Sequence, residues 1–387
     1  MRRTIPAAAC LLLLAACNRG PAGEVASEAT DQPAAPAPSP SATADPLASN
    51  DASAQPDDKP RPLMQAQVLL DRMGFSPGVI DGKPGLSTRN ALMAFQEKSG
   101  LPQSGELDPA TTEALKPQAG IPATRVVTIP ADFAAGPFAV LPKDPAEQAK
   151  LPALGYASLE EKLAERFHTT PAVLRELNPA LKAAAEAAAA YAARPPLNPP
   201  LADVPPPSPY RAGLQLRVSN VGADALDASA VEDKDWLATL HMLGVGSTQS
   251  QAAKIVVSKG KGTLRAYDSE DNLIGAFTVT TGSSHDPLPL GTWKVNGKSY
   301  NPEFSYDPSL FWDVPDSKGE HMLPPGPNGP VGVVWIDLSK EHYGIHGTPE
   351  PEKIGRSESH GCVRLTNWDA ARLAQMVSGK TEVVFEA

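Results

Sequence analysis

Residues 254–280 read KIVVSKGKGTLRAYDSEDNLIGAFTVT, and this stretch decides the architecture of the C-terminal third of the chain. Three β-branched or aromatic runs, 254–257, 263–267 and 276–280, are separated by glycines and by an Asp-Asn pair. Runs of this kind, bounded by turn residues, are typical of strands joined by tight turns. Later segments of similar pattern predict further strands and one amphipathic helix: strands 291–295, 331–338 and 381–385, and helix 367–377. We therefore predict a mostly-β domain over residues 252–387.

The composition of the whole chain indicates several domains. With 387 residues it exceeds one compact core, and two or three domains are expected. Proline accounts for 42 residues and aromatics for only 5%, which is typical of globular domains combined with linkers. The net charge of -10 argues against nucleic acid as a partner, because phosphate binding requires a basic surface. No apolar run beyond the N-terminus has the length that predicts a membrane-spanning helix.

Residues 1–17 have the pattern of a lipoprotein signal peptide. Two arginines precede an apolar run, and the Leu14–Cys17 segment resembles a bacterial lipobox, in which the cysteine is acylated and becomes the first mature residue. Cys17 is thus the predicted lipidation site, and an ordinary signal peptide cut nearby is the alternative. Asn18 favours, by the same resemblance, the outer over the inner membrane. We expect a periplasmic protein, lipid-anchored to the inner face of the outer membrane of a Gram-negative bacterium.

A tether and a small helical unit follow. Residues 18–61 consist mainly of Ala, Pro, Ser, Asp and Glu and are predicted to be a disordered tether. Residues 62–118, the N-terminal unit, predict three helices, the second beginning at a cap formed by Ser87 or Thr88. The unit resembles the three-helix peptidoglycan-binding domain through these residues: Gln67, Gly74-Phe75, Asp81-Gly82, Phe95-Gln96 and Gly105.

Residues 125–220, the middle unit, predict a helical segment. A capping box at 158–161 begins one helix, and Pro171 begins another that ends at Asn178. The run LAERFHTTPAVLRELNP over 163–179 resembles the two helices of a LysM glycan-binding module. In that interpretation residues 213–218 form the final strand and the Ala- and Pro-rich stretch is an insertion. A generic helical spacer is the alternative.

Cys362 is the residue most suggestive of catalysis. Cys10 belongs to the predicted signal peptide and Cys17 would carry lipid, so the mature chain would form no internal disulfide. Residues 359–364 read SHGCVR, and His346 stands sixteen residues before the cysteine. A thiol with a pKa of about 8.5 is a few per cent thiolate at pH 7, and a nearby imidazole can take its proton and later return it to an amine.

These residues resemble the YkuD-type L,D-transpeptidase family. The resemblance rests on the SHGCVR box, the upstream His-Gly-Thr, and the segments 289–293 and 327–332. It implies a multi-domain α+β protein with a three-helix bundle, a helical middle segment and a β-sandwich catalytic domain with a short helix. The roles it implies are nucleophile for Cys362, base for His346, orientation or oxyanion stabilisation for Gly347, Gly361, His360 and Ser359, and substrate binding for Arg364 and Thr348.

The resemblance also implies substrates. The partners are peptidoglycan stem peptides and glycan, the bond attacked joins the third residue of a tetrapeptide stem to its terminal D-alanine, and no cofactor is needed. Transfer to a second stem would form a 3→3 cross-link. A lysine of an outer-membrane lipoprotein, water or a free D-amino acid are alternative acceptors that one sequence does not separate. Carbapenems are expected to acylate Cys362.

Two alternatives belong to other classes of function. His342, His346, His360 and Cys362 have side chains that bind zinc, but a pair four residues apart requires a helix, and the local sequence indicates strand and turn. No metal site is therefore predicted. The chain could also be a non-catalytic peptidoglycan anchor with an inactive enzyme domain. An inactive domain is expected to have lost its nucleophile or its base, and here both are present.

Overall fold

The computed structural model describes Leu47 and residues 57–192, 208–222, 226–310 and 319–387. The predicted signal peptide, Cys17 and the tether as far as residue 56, except Leu47, lie outside the described residues, as do residues 193–207 of the predicted insertion. All described residues belong to one compact unit. Within the described ranges, no helix has both the length and the apolar character needed to cross a membrane.

Three helices form the N-terminal unit: α1 (Pro62–Arg72), α2 (Leu86–Lys98) and α3 (Pro109–Leu115). The cap predicted for the second helix is wrong. This helix begins at Leu86, and Gly85 at the capping position makes no side-chain hydrogen bond. Thr88 instead points inward, where its Oγ1 accepts from Nε2 of buried Gln67 at 3.0 Å. The side-chain oxygen of that glutamine, Oε1, accepts from the Gly82 amide at 2.7 Å, so these motif residues stabilise the fold.

The middle unit combines helices with a two-stranded sheet. Its elements are β1 (Thr124–Thr128), α4 (Pro145–Gln148), α5 (Leu159–Arg166), α6 (Pro171–Leu177), α7 (Pro179–Ala192) and β2 (Gln215–Ser219). β1 and β2 pair antiparallel. The predicted cap of α5 is confirmed, because Oγ of Ser158 accepts from the Glu161 amide at 3.1 Å. The first part of the predicted insertion is the helix α7.

The C-terminal domain is mostly β, as predicted. Its elements are α8 (Lys234–Leu243), β3 (Lys254–Ser258), β4 (Thr263–Tyr267), β5 (Leu273–Thr278), β6 (Gly291–Tyr300), β7 (Phe304–Tyr306), β8 (His321–Leu323), β9 (Val334–Leu338), β10 (Gly344–His346), β11 (Val363–Arg364), α9 (Asn367–Met376) and β12 (Glu382–Glu386). Eight strands form one sheet in the order β11-β10-β9-β6-β12-β3-β4-β5, and β7 and β8 form a separate hairpin. The pattern did not predict α8 or this hairpin.

The sheet curls at β6. The first half of this strand pairs with β12, the second half pairs with β9, and the register shifts between Val295 and Gly297. A bulge of this kind bends a strand and increases its twist. The curled sheet encloses a core to which both flanking helices contribute, with Trp236 of α8 and Trp368 of α9 fully buried. The predicted helix over 367–377 is thus confirmed as α9.

The N-terminal unit covers the edge of this sheet. Beside β5, the Ser76 amide donates to the Ala276 carbonyl at 2.8 Å, and the Ala276 amide donates to the Gly74 carbonyl at 3.0 Å. Asn90 of α2 adds a side-chain hydrogen bond to Thr278 at 3.1 Å. Since an open strand edge can pair with other chains, this contact both protects the edge and attaches the N-terminal unit to the C-terminal domain.

Candidate active site

Strand register brings the predicted base and nucleophile to one face of the sheet. β10 pairs in parallel with the end strand β11, with Ile345 opposite Val363 and His346 opposite Arg364. Ile345 and Val363 are both fully buried. Because side chains alternate along a strand, His346 and Arg364 lie on the opposite face. Cys362 directly precedes β11 and, by the same alternation, shares that face.

The imidazole of His346 is held in one orientation. Its Nδ1 lies 2.7 Å from the carbonyl oxygen of Gly347. A carbonyl only accepts, so Nδ1 carries the proton in this contact and Nε2 is left as the acceptor. The ring also stacks on Trp335 with centroids 5.5 Å apart. Burial, assisted by the positive charge of Arg364, lowers the pKa of His346 to about 4, so the ring is neutral at pH 7.

The thiol of Cys362 is also neutral at physiological pH. Burial raises its pKa above the ordinary value, and this effect outweighs the Gly344 amide and the charge of Arg364, which both lower it. The Sγ atom lies 3.8 Å from the carbonyl oxygen of His342, at the turn between β9 and β10. The site therefore places a neutral thiol and a neutral imidazole on one face of the sheet.

The turn before the nucleophile depends on a glycine. Gly361 has a φ of +106°, a region that favours glycine, and a Cβ atom there would lie 2.9 Å from the ring of Tyr343. Oγ of Ser359 donates to the carbonyl oxygen of Cys362 at 2.6 Å and thereby closes the turn. Ser359 is buried, and half-buried His360 lies between it and the glycine. Ser359 is thus placed to shape the turn.

Arg364 and Thr348, the two predicted substrate-binding residues, differ in their burial and in their hydrogen bonds. The guanidinium of Arg364 is half-buried, and its Nε is enclosed without a hydrogen-bond partner among the described residues. A guanidinium is suited to binding a carboxylate through its outer nitrogens. Thr348 is buried, and its Oγ1 accepts from the Glu350 amide at 3.3 Å, within the loop that follows the base. A substrate-binding role for either residue stays a prediction.

The described part of the chain contains no group of three or more His, Cys, Asp or Glu side chains placed to hold a metal ion. His342 has a φ of +64° and precedes β10, which carries His346, so the two histidines do not share a helix face.

Comparison with known proteins agrees with this arrangement. Residues 252–385 match the family described as "L,D-transpeptidase catalytic domain". A Bacillus licheniformis protein named "Putative L,D-transpeptidase YkuD" is 31% identical over 140 residues, which cover 36% of this chain and 69% of the relative. The chain belongs to the YkuD L,D-transpeptidase family. Residues 62–115 match the "Putative peptidoglycan binding domain". Both the predicted catalytic family and the predicted N-terminal domain type are thereby confirmed.

Two further similarities are partial. A Bacillus subtilis protein with the same YkuD name is 51% identical over 57 residues, which cover 15% of this chain and 35% of the relative. The crystal structure of L,D-transpeptidase 3 from Mycobacterium tuberculosis with a faropenem-derived adduct covers 35% of this chain and 60% of that chain, at 18% identity and a TM-score of 0.29. The chain thus spans less than two thirds of each of these two proteins.

Asn367 is the site residue that sequence reasoning missed in this L,D-transpeptidase. It is the first residue of α9, three positions after Arg364, and its side chain is fully buried. Its Oδ1 is so close to Gly347 and Gly332 that a Cβ atom on either glycine would clash with it. The only sequence signal is its position directly after the Thr366 cap, which indicates a helix start and nothing about the base.

Proposed function

We propose that this protein is a peptidoglycan L,D-transpeptidase in which Cys362 is the nucleophile and His346 the general base. One observation supports the proposal above all. His346 ends β10, Cys362 directly precedes the paired strand β11, and side-chain alternation puts both residues on one face, with the base oriented by the Gly347 carbonyl. The substrate bond would be the amide between the third residue of a tetrapeptide stem and its terminal D-alanine.

The first half-reaction forms a thioester. Sulfur attacks the carbonyl carbon of the third stem residue while the Sγ proton passes to Nε2 of His346, which is the ring nitrogen left to accept. The C–N bond then breaks, the proton moves from the imidazole to the leaving amine, and D-alanine departs. The low pKa of His346, about 4, keeps this base neutral and ready to accept at neutral pH.

The second half-reaction restores the thiol. An acceptor amine attacks the thioester, the C–S bond breaks, and the amine proton returns to sulfur through His346. With the side-chain amine of a second stem as acceptor, the product is a 3→3 cross-link. The half-buried guanidinium of Arg364, close enough to Cys362 to influence its pKa, would bind a carboxylate of the stem.

The segments before the catalytic domain would bring the active site to peptidoglycan. We infer that Cys17 is acylated, that the tether reaches from the outer membrane into the periplasm, and that the N-terminal unit docks on peptidoglycan. The middle unit pairs strands β1 and β2 around α5 and α6, with α4 and α7 as additional helices between the strands, and this arrangement supports a LysM-like glycan contact. Several weak contacts on one polymer raise the effective concentration of substrate at the site.

Muropeptide analysis tests the proposed activity. The full chain and its Cys362→Ala variant are each incubated with tetrapeptide-rich sacculi, and the digested products are measured by mass spectrometry. New 3→3 dimers made only by the unmodified chain are expected. Tripeptides or exchanged D-amino acids without dimers would move the function to trimming, exchange or attachment of a lipoprotein. Identical products from both proteins would contradict the catalytic role and favour a non-catalytic peptidoglycan anchor.

Covalent trapping tests the nucleophile separately. A carbapenem should add its mass to the full chain, with the modified peptide containing Cys362, because ring opening by an attacking thiol mimics the first half-reaction. The Cys362→Ala variant should gain no adduct at the site. An adduct of equal amount on both proteins would show that the reactive group lies elsewhere.

A further inference from the structure

A buried hydrogen-bond chain runs from the middle unit to the support of the catalytic base. It begins at Tyr156, whose hydroxyl lies 2.5 Å from Oε2 of Glu165 in α5. The other carboxylate oxygen, Oε1, accepts from Nδ2 of Asn367 at 2.7 Å, across 202 positions of sequence. All three side chains are buried. This series of hydrogen bonds thus crosses from the middle unit into the first turn of α9 in the catalytic domain.

These hydrogen bonds determine which way the Asn367 amide points. Nδ2 faces two acceptors, the carboxylate of Glu165 and the Pro327 carbonyl at 3.0 Å, while Oδ1 faces the Val333 amide at 3.3 Å. The reversed amide would place an oxygen against two acceptors and an NH₂ group against a donor. The carboxylate of the middle unit therefore holds Oδ1 in its observed place.

The oriented amide supports the base. Oδ1 of Asn367 packs against Gly347 so closely that any Cβ at that position would clash with it. The carbonyl of the same Gly347 accepts from Nδ1 of His346 at 2.7 Å. A shift of the Asn367 amide would therefore displace the carbonyl that selects the tautomer and direction of the imidazole.

We propose that Glu165 and Tyr156 of the middle unit are positioning residues for the transpeptidase site. They act through Asn367 and Gly347 on His346, so the catalytic base is correctly oriented only when the middle unit is docked. This inference rests on the proposed function, and it assigns the middle unit a role in the reaction in addition to any contact with glycan.

Other buried contacts hold α9 without reaching the base, and they provide a matched control. Oγ of Ser76, from the N-terminal unit, contacts Oδ2 of Asp369 at 2.8 Å, two residues beyond Asn367. Both this contact and the one made by Glu165 join α9 to another unit through a buried hydrogen bond. If the Glu165 contact only joined domains, its loss and the loss of the Ser76 hydroxyl should affect catalysis alike.

The experiment compares the full chain with Glu165→Ala, Glu165→Gln, Tyr156→Phe and Ser76→Ala. Release of D-alanine from a soluble tetrapeptide stem gives kcat and KM, and two-dimensional NMR of histidine-labelled protein reports the Nδ1 proton of His346. We expect Glu165→Ala to lower kcat at least tenfold with KM within twofold. Glu165→Gln should recover activity to within about threefold, since its oxygen can still accept from Asn367 while its NH₂ group donates to the Tyr156 oxygen.

If Glu165→Ala does not fold, the inference is tested by the two remaining variants. Tyr156→Phe removes a single hydroxyl, and we expect kcat to fall about threefold with a shifted His346 Nδ1 resonance. Ser76→Ala should leave kcat and that resonance unchanged. An unchanged kcat and resonance in folded Glu165→Ala or Tyr156→Phe would overturn the inference, and so would an equal loss in Ser76→Ala.

The design separates this inference from the proposed function. If the unmodified chain releases no D-alanine in a Cys362-dependent manner, the proposed function is wrong. In that case the His346 resonance still tests whether Glu165 and Tyr156 position the base, because the hydrogen bond from His346 to Gly347 exists without substrate. If the His346 resonance is unaffected by Glu165→Gln, Glu165→Ala and Tyr156→Phe alike, the proposed positioning of His346 through Glu165 and Asn367 is refuted independently of activity.

Discussion

Replacing Glu165 by Gln should change how the stability of the protein depends on pH. Burial raises the pKa of this carboxyl from 4.5 to about 7, even though hydrogen bonds from Tyr156 and Asn367 favour its charged form. In the unfolded chain the carboxyl ionises near its ordinary pKa. Between pH 4.5 and 7 the folded protein therefore retains a proton that the unfolded chain has lost.

The sign and size of the effect follow from that difference. The stability contributed by the protonated Glu165 is fully present below pH 4.5 and is lost as pH rises towards 7, because the folded state must then ionise a buried carboxyl. At about 1.36 kcal/mol for each pH unit, the difference corresponds to a loss of about 3 kcal/mol in the free energy of unfolding. Glutamine has a similar shape and does not titrate, so its variant should lack this loss.

The assay is urea unfolding of the full chain and of Glu165→Gln at intervals from about pH 4 to about pH 8. We expect the variant to gain about 3 kcal/mol relative to the unmodified chain over this range. Asp369, whose pKa burial raises to about 6, and Asp71, whose pKa lies below its ordinary value, titrate in both proteins, so they cancel in the comparison. Parallel stability curves, or a gap that opens in the other direction, would refute the reasoning.

Three further predictions concern the base, its support and the contact between units. Carbapenem acylation, followed by intact mass, should stay constant from pH 7 to pH 5 and fall below about 4, where His346 becomes protonated; a fall near pH 6.5 would contradict the low pKa. Gly347→Ala should lower kcat for D-alanine release at least about tenfold, because its Cβ clashes with Asn367, and unchanged turnover would exclude that contact from catalysis. Asp71→Asn should cost about 3–5 kcal/mol in urea unfolding, since it leaves Arg372 buried without its carboxylate, and a double variant with Arg372→Met should recover much of that loss.

Local signals predicted the elements that depend on neighbouring residues. The Ser158 cap of α5 and the apolar face of α9 require only a few positions of sequence, and both are observed. The strands from 254 onward follow from β-branched runs between turn residues, although β5 covers Leu273–Thr278 and not the predicted 276–280. Cys362 and His346 could be proposed as partners from sequence because the family motif carries both.

Contacts between units could not be predicted, since one sequence does not reveal which polar side chains are buried. Glu165 follows the capping box of α5 in the run LEEKLAER and has the pattern of a solvated helix residue. It is buried, and its carboxylate is bonded by Tyr156 and by Asn367, which lies 202 positions away in the sequence. Thr88 was mistaken for a helix cap for the same reason, because its partner Gln67 lies on another helix.

α9 is where the three units meet. Its first residue touches both Glu165 of the middle unit and the Gly347 that orients the base. The next residue, Trp368, stacks on His168 of the middle unit with centroids 5.0 Å apart. One turn further on, Arg372 contacts Asp71 of the N-terminal unit at 3.4 Å.

A helix held at successive turns by two other units has little freedom to shift without breaking buried polar contacts, each of which is costly to leave unpaired. The path from Arg364 to Asn367 is only three residues long, so a displaced α9 would move β11 and the Gly347 support together. The geometry of the thiol and the imidazole should therefore depend above all on the docking of the middle unit, which holds Asn367. Loss of a single N-terminal contact, such as the Ser76 hydroxyl, leaves α9 held by its other contacts. An isolated catalytic domain, cut before α8 so that its own core stays complete, would lose those contacts while keeping its motif intact, and we expect it to be a poorer catalyst than the full chain for that reason.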